Sequence, residues 1–420
     1  MKPSLEALLD RLVARGHLGM VLGLGRTRDA LSRVGSPEVG LRAFHVAGSN
    51  GKGSVCAMID AALGEAGLRR GLYTSPHLER FSERIAIDGA PIADDLFAAA
   101  LARVFDDAGD GLTFFETLTV AAFVALREAG IDLAVLEVGL GGRADSTNVV
   151  AAPVAAGVVS ITQGLDGAHL EHGALLGGTA EEIAAEKAAI FKAGCPAIIG
   201  PMADGPREVC ARTARAVGAD PVELVDRATA IAGVARAPRL RGAHQLDNAA
   251  VAAAMLVAAR PRVPGLERAH IERGIASARW PGRLEELVLA GVTVLLDGAH
   301  NVDGARALVD ELRARALDPR RTTLVFGALA DKGYRPFLEM IAPFAHARFY
   351  AEPGGRAAAS PDELSRIASG IVCSSPEDAI ERARGATPPG GVVLVTGSLY
   401  LVGAVRARLL GAHRDPALGL

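Results

Sequence analysis

The segment Phe44-His45-Val46-Ala47-Gly48-Ser49-Asn50-Gly51-Lys52-Gly53-Ser54-Val55 decides how the chain is read. A short apolar run enters a glycine-rich turn, and a helical pattern follows from Val55. Strand, glycine turn and helix in that order frame a phosphate-binding loop. Glycines at 48, 51 and 53 let backbone N–H groups converge on phosphate oxygens, the helix N-terminus adds a favourable dipole, and Lys52 supplies a point charge. The spacing departs from the Walker A pattern, because only two residues separate Gly48 from Gly51 and Gly53 stands between the lysine and the Ser54 hydroxyl. Lys52 is also one of only five lysines among 45 basic residues, with Lys2, Lys187, Lys192 and Lys332. A chain that uses arginine for solvated charge keeps lysine where a compact or reactive amine is needed.

Outward from this loop, apolar runs alternate with Ala-rich helical segments, which predicts an α/β architecture on a mainly parallel sheet. Strands are expected at Ala43 to Val46, Leu133 to Glu137, Val154 to Ile161, Val292 to Leu296, Thr323 to Phe326 and Val392 to Thr396. Each ends in a polar or Gly-rich loop, where α/β proteins place ligands. A second strand series starts near Leu287, after Trp280-Pro281-Gly282-Arg283, which puts a domain boundary around 284 to 290. Arg260 to Gly265 reads as a helix stop and turn inside the first domain.

At 420 residues, half of them hydrophobic and 22% charged, the composition is that of a soluble two-domain protein. No apolar stretch approaches the roughly 18 to 20 residues of a membrane span. Glu6, Asp10 and Arg11 interrupt any signal-peptide core, so a cytoplasmic location is expected. A net charge of -3 gives no basic footprint for nucleic acid. Cys56, Cys195, Cys210 and Cys373 form no CxxC pair, which argues against a zinc site or a disulfide framework.

The GxNGKGS form resembles the ATP loop of the Mur ligase superfamily, the ATP-dependent amide ligases. Further segments are similar to the branch comprising dihydrofolate synthase and folylpolyglutamate synthase. They are Tyr73 to Leu78 (YTSPHL), Phe115 to Thr119 (FETLT), Glu137 to Asn148 (EVGLGGRADSTN), Glu186-Lys187-Ala188, Trp280 to Arg283, Leu296 to Asn301 (LDGAHN), Phe326 to Lys332 and Thr396 to Tyr400. The resemblance implies a P-loop ligase domain with folate-binding elements over residues 1–286. A smaller Rossmann-like domain, 287–420, would complete the ATP and glutamate site.

The implied reaction activates a carboxylate with ATP and condenses the acyl phosphate with the amine of L-glutamate. The acyl substrate would be dihydropteroate, the γ-carboxylate of (tetrahydro)folate glutamates, or both. Residue by residue, the resemblance assigns ATP contacts to Ser49, Asn50, Gly51, Lys52, Gly53, Ser54, Asn248, Arg283 and Asp297. It assigns metal contacts to Ser75 and Glu137. The third metal ligand is selected by counting back from Leu176-Gly177 to His172, with His169 and Asp166 as alternatives in a segment carrying extra residues. Folate contacts fall on Gly19, Met20, Val21 and Leu22, on Phe115, Glu116, Thr117 and Leu118, and on Ala144, Asp145 and Ser146. Val21 stands where bifunctional relatives often place an acid. Lys187 sits in a helical pattern that alone reads as an exposed helix lysine, whereas the resemblance makes it a carbamate formed with CO₂. Lys52, Lys187 and His172 are the expected catalytic set, and Lys332 and His300 support the amino-acid side. ATP and one or two Mg²⁺ ions are implied, K⁺ is a further candidate, and a monomer is expected.

A Mur ligase of peptidoglycan precursors would carry a UDP-binding domain of about 80 to 100 residues ahead of the loop, and here the loop begins near residue 48. A non-catalytic ATP switch would have no use for Lys187 or the Asp297 loop.

Overall fold

The computed structural model describes residues 3–19, 23–164, 176–226, 237–355 and 357–416. Two sheets are built in succession. The first comprises β1 (Ala43–Ala47), β2 (Arg70–Tyr73), β3 (Ile85–Ile87), β4 (Ala90–Pro91), β5 (Leu133–Glu137), β6 (Ala155–Val158), β7 (Ala197–Ile199) and β8 (Val222–Leu224). Their order is β4-β3-β2-β5-β1-β6-β7-β8. Every pairing from β2 to β8 is parallel, and β3 and β4 add antiparallel at one edge. All five residues of β1 are buried, as a central parallel strand covered on both faces requires. Phe44 and Val46 pack with the helices Lys52–Glu65, His244–Ala259 and Arg268–Ser277. Tyr73, Ala134 and Leu136 pack with the helix Phe114–Glu128.

The second sheet contains β9 (Glu285–Leu289), β10 (Val292–Leu296), β11 (Thr322–Phe326), β12 (Ala347–Tyr350), β13 (Ile371–Val372) and β14 (Val392–Thr396). Its order is β13-β12-β11-β14-β10-β9, parallel except where β9 folds back on β10. This is a two-domain α/β architecture with mainly parallel sheets, as expected. The expected strand Val154 to Ile161 is shorter than its apolar run, because the chain leaves the sheet to back the phosphate loop. There the Ser160 carbonyl accepts the Ser49 N–H at 2.8 Å. The helix after the loop begins at Lys52 rather than Val55.

The domains meet along a polar seam. Asp303 Oδ2 accepts from Thr162 Oγ1 at 2.5 Å and from the Gln163 N–H at 3.0 Å. The Asn50 and Asn301 side-chain amides pair, with Asn301 Nδ2 donating to Asn50 Oδ1 at 2.9 Å. Arg406 bridges Glu79 at 2.6 Å and Glu285 at 3.0 Å. Gly403 lies so close to the Leu78 carbonyl that a Cβ there would stand 1.9 Å from the oxygen, so only glycine permits this helix to dock.

Candidate active site

The chain reverses its direction of sheet-building around β1, between β5 and β6, and the crevice outside those strand ends is where open α/β sheets bind ligands. A cavity of about 550 Å³ opens there and extends to the strand ends of the second sheet. Ser49, Asn50, Gly51, Lys52, Gly53 and Ser54 all line it. Gly51 caps the helix with φ 84°, and a Cβ on it would sit 2.2 Å from Asn248 Oδ1. A Cβ on Gly53 would stand 2.7 Å from Trp280 Nε1. The glycine interposed after the lysine is therefore explained by the indole that covers it. Lys52 Nζ folds back on the loop, donating to Gly48 O at 3.0 Å and Ser49 O at 3.3 Å.

Glu137 ends β5 beside this loop, 5% exposed, with Oε2 accepting the Ser75 N–H at 3.1 Å. Burial pushes its carboxyl above the ordinary range, against the opposing charges of Lys52, Arg283 and Arg84 and the Ser75 N–H. A divalent cation offsets the cost of holding that carboxylate ionised out of water, so Glu137 with Ser75 fits a hard, oxygen-seeking ion. Among the described residues no three His, Cys, Asp or Glu side chains converge on a metal position. Oxygens of nucleotide and water would complete such a shell. Glu137→Gln should raise the Mg²⁺ concentration for half-maximal turnover by at least about ten-fold, the lower range for disturbing even an outer-shell partner. A metal titration showing no change would remove Glu137 from this role.

Lys187 is not an exposed helix lysine. The capped helix Ala180–Ala188 turns it inward, 5% exposed, with Nζ donating to Gly48 O at 3.1 Å. It therefore touches the carbonyl that Lys52 also touches, at the mouth of the phosphate loop.

Across the cavity, Asp297 follows β10 and is buried, its oxygens accepting N–H groups of Leu284 and Ala299 at 3.0 Å each. Arg283, Asn248, His300 and Lys332 line the same space. Asn248 Nδ2 donates to Gln245 Oε1 at 2.9 Å, which fixes its amide beneath Gly51.

At the other end Gly19, Phe115, Glu116, Ala144, Asp145 and Ser146 line the cavity. Thr117 and Leu118 do not, which corrects their expected contact with substrate. The Thr117 hydroxyl accepts from the buried Arg15 at 2.7 Å and donates to Thr113 O, and Leu118 is packed in the core. Glu116 is held by Arg26 at 2.9 Å and by the Thr113 N–H at 2.8 Å, in the capping box that starts its helix. Met20, Val21, Leu22, His172, His169 and Asp166 lie outside the described residues. Sequence reading missed Arg84 and His244. Arg84 is buried, lines the cavity and donates from Nε to His77 Nδ1 at 3.1 Å. His244 lines the cavity beside Gln245, and burial pushes its imidazolium down while Asp297 opposes the shift. In an arginine-rich chain nothing local distinguishes Arg84, whereas His244 could have been found from its place four residues before Asn248 on one helix face.

Comparison with known proteins fixes the lineage of this arrangement. The Mur ligase middle domain matches residues 46–199, and the Mur ligase glutamate ligase domain matches residues 282–399. The dihydrofolate synthase/folylpolyglutamate synthase of Bacillus subtilis is 34% identical, over 94% of this chain and 96% of its own. The chain belongs to the dihydrofolate synthase/folylpolyglutamate synthase family. The protein of the same name from Escherichia coli is also 34% identical, over 91% of this chain and 90% of its own. Among solved structures of the family, E. coli FolC in complex with DHPP and ADP matches with a TM-score of 0.84 at 30% identity, covering 97% of this chain and 99% of that one. A bifunctional folylpolyglutamate synthase/dihydrofolate synthase with Mn, AMPPNP and L-glutamate bound matches at 0.83 and 32%, covering 98% and 100%. As a member of this family the chain is an ATP-dependent ligase. No helix among the described residues is long and apolar enough to cross a membrane.

Proposed function

We infer that the chain joins L-glutamate to dihydropteroate and to the γ-carboxylate of tetrahydrofolate glutamates. The observation that carries this reading is one continuous cavity lined at one end by Phe115, Glu116 and Ala144 to Ser146, in the middle by the phosphate loop, and on the far side by Asp297, His300 and Lys332. The first sheet and its helices hold ATP and the folate substrate, and the second unit, which starts with β9 at Glu285 rather than at residue 287, completes the nucleotide and glutamate side. The substrate carboxylate attacks the γ-phosphorus of ATP, giving an acyl phosphate and ADP. The glutamate amine then attacks the acyl carbon, phosphate leaves, and one proton is released with the new amide. Lys52 and the loop N–H groups hold the phosphates, and Arg283 adds donors from the inter-domain side. Glu137 and Ser75 hold Mg²⁺, which supplies neutralisation of phosphate charge. Closure of the polar seam excludes water from the anhydride.

Lys187 is carbamylated in the working enzyme. Its neutral amine adds CO₂ and loses a proton, which converts a cation into an anion beside Gly48. Its burial and its 3.1 Å contact with the loop support that reading. The protein is proposed to act as a cytoplasmic monomer.

The experiment is ADP release with ATP and L-glutamate plus dihydropteroate, tetrahydrofolate or a UDP-muramyl acceptor. Turnover with both folate-type substrates and none with the third is expected. Turnover with tetrahydrofolate alone would reduce the enzyme to a folylpolyglutamate synthase, and a UDP-muramyl preference would reject the reading.

A further inference from the structure

A buried polar chain runs beneath the folate end of the cavity. His45, three residues before Gly48 on β1, is fully buried with Nε2 2.9 Å from Thr147 Oγ1. Thr147 Oγ1 lies 2.5 Å from Asp145 Oδ1, and the Thr147 N–H donates to the same oxygen at 3.0 Å. Asp145 Oδ2 accepts the Leu140 N–H at 2.9 Å. Of these three side chains only Asp145 lines the cavity.

The hydrogen-bond inventory fixes the direction of every proton. Backbone N–H groups reach both Asp145 oxygens, so the carboxylate is the acceptor and Thr147 gives it the hydroxyl hydrogen, at a separation usual for O–H···O⁻. With its one hydrogen spent, the Thr147 oxygen accepts from His45, and Nε2 carries the imidazole proton. Nδ1 is then a bare lone pair, and it is the ring nitrogen without a hydrogen-bond partner among the described residues. Burial, with the Lys192 charge, pushes the imidazolium down to about 3, so the ring stays neutral. Lys192 donates to Asn148 Oδ1 at 2.6 Å and holds the same turn from its other side.

We propose that His45 and Thr147 are positioning residues for the folate-type substrate: their relay aims the Asp145 carboxylate into the cavity as a hydrogen-bond acceptor for substrate N–H groups. The inference rests on the reading of Asp145 as a substrate contact. Burial already pushes the Asp145 carboxyl up, and the Thr147 hydroxyl is the first force opposing it. Without that donor the group would turn or protonate, presenting a hydroxyl where the substrate needs an acceptor.

The test compares kcat, the KM for tetrahydrofolate and the KM for ATP in variants whose melting temperature is measured in parallel. Thr147→Val should raise the tetrahydrofolate KM by about ten-fold, with the ATP KM within two-fold of the parent, as expected for losing a hydrogen bond to a charged group. Thr147→Ser should restore it. His45→Leu should act in the same direction, and His45→Gln, which keeps a donor at the Nε2 position, should recover most of the loss. Should Thr147→Val fail to fold, the two His45 variants decide. Equal tetrahydrofolate KM values in all folded variants would overturn the relay if Asp145→Asn raises that KM. An Asp145→Asn enzyme with the parent KM would reject the substrate contact itself, and the relay with it.

Discussion

Lys52→Ala is expected to lower kcat by about 10²- to 10³-fold while the protein stays folded, the loss typical of deleting one donor aimed at charge developing in a low-dielectric site. Lys52 opens the helix after the phosphate loop, and among the described residues its amine bonds to the Gly48 and Ser49 carbonyls. The Gly48 carbonyl keeps its bond from Lys187 when Lys52 is lost, so the melting temperature should move little. The loop itself is braced by Ser160, Thr162 and Asn248, none of which needs the lysine. A folded mutant with near-parental turnover would show that ATP phosphates are not held at this loop.

The second large effect concerns Lys187. Lys187→Ala should be nearly inactive, and a short carboxylic acid added to the medium should restore part of the turnover by occupying the vacated anionic position. Lys187→Arg should not be rescued, because its bulk and its fixed positive charge stay in place. Arginine also cannot form the carbamate. Lys187 is buried and its amine reaches the Gly48 carbonyl, so the position that the acid must fill lies against the phosphate loop. Full activity of the alanine variant without any added acid would exclude a carbamate at this position.

Much of the fold could be read because its signals are local. The central strands are continuous apolar runs, and their ends carry the glycines and acids that the parallel topology turns toward one crevice. The phosphate loop was legible for that reason, whereas Glu137, Asn248, Arg283 and Asp297, which line the same cavity, were singled out with the help of the family resemblance. What failed was orientation. Phe115 to Leu118 form a helix whose consecutive residues point in different directions, so Phe115 and Glu116 reach the cavity while Thr117 and Leu118 enter the core. Lys187 shows the reverse case: its helical pattern gave no sign of burial, since Ala-rich neighbours hide which face packs. Arg84 was invisible because its partner His77 and the ring of Phe114 meet it only in three dimensions.

The central claim is that ATP activates a folate-type carboxylate as an acyl phosphate. Tetrahydrofolate labelled with ¹⁸O in its γ-carboxylate tests this directly, by mass analysis of the phosphate released during glutamate-dependent turnover. One ¹⁸O from each labelled carboxylate should appear in the inorganic phosphate, because the attacking carboxylate oxygen leaves with it. Phosphate free of label, alongside formation of the glutamyl amide, would contradict the account.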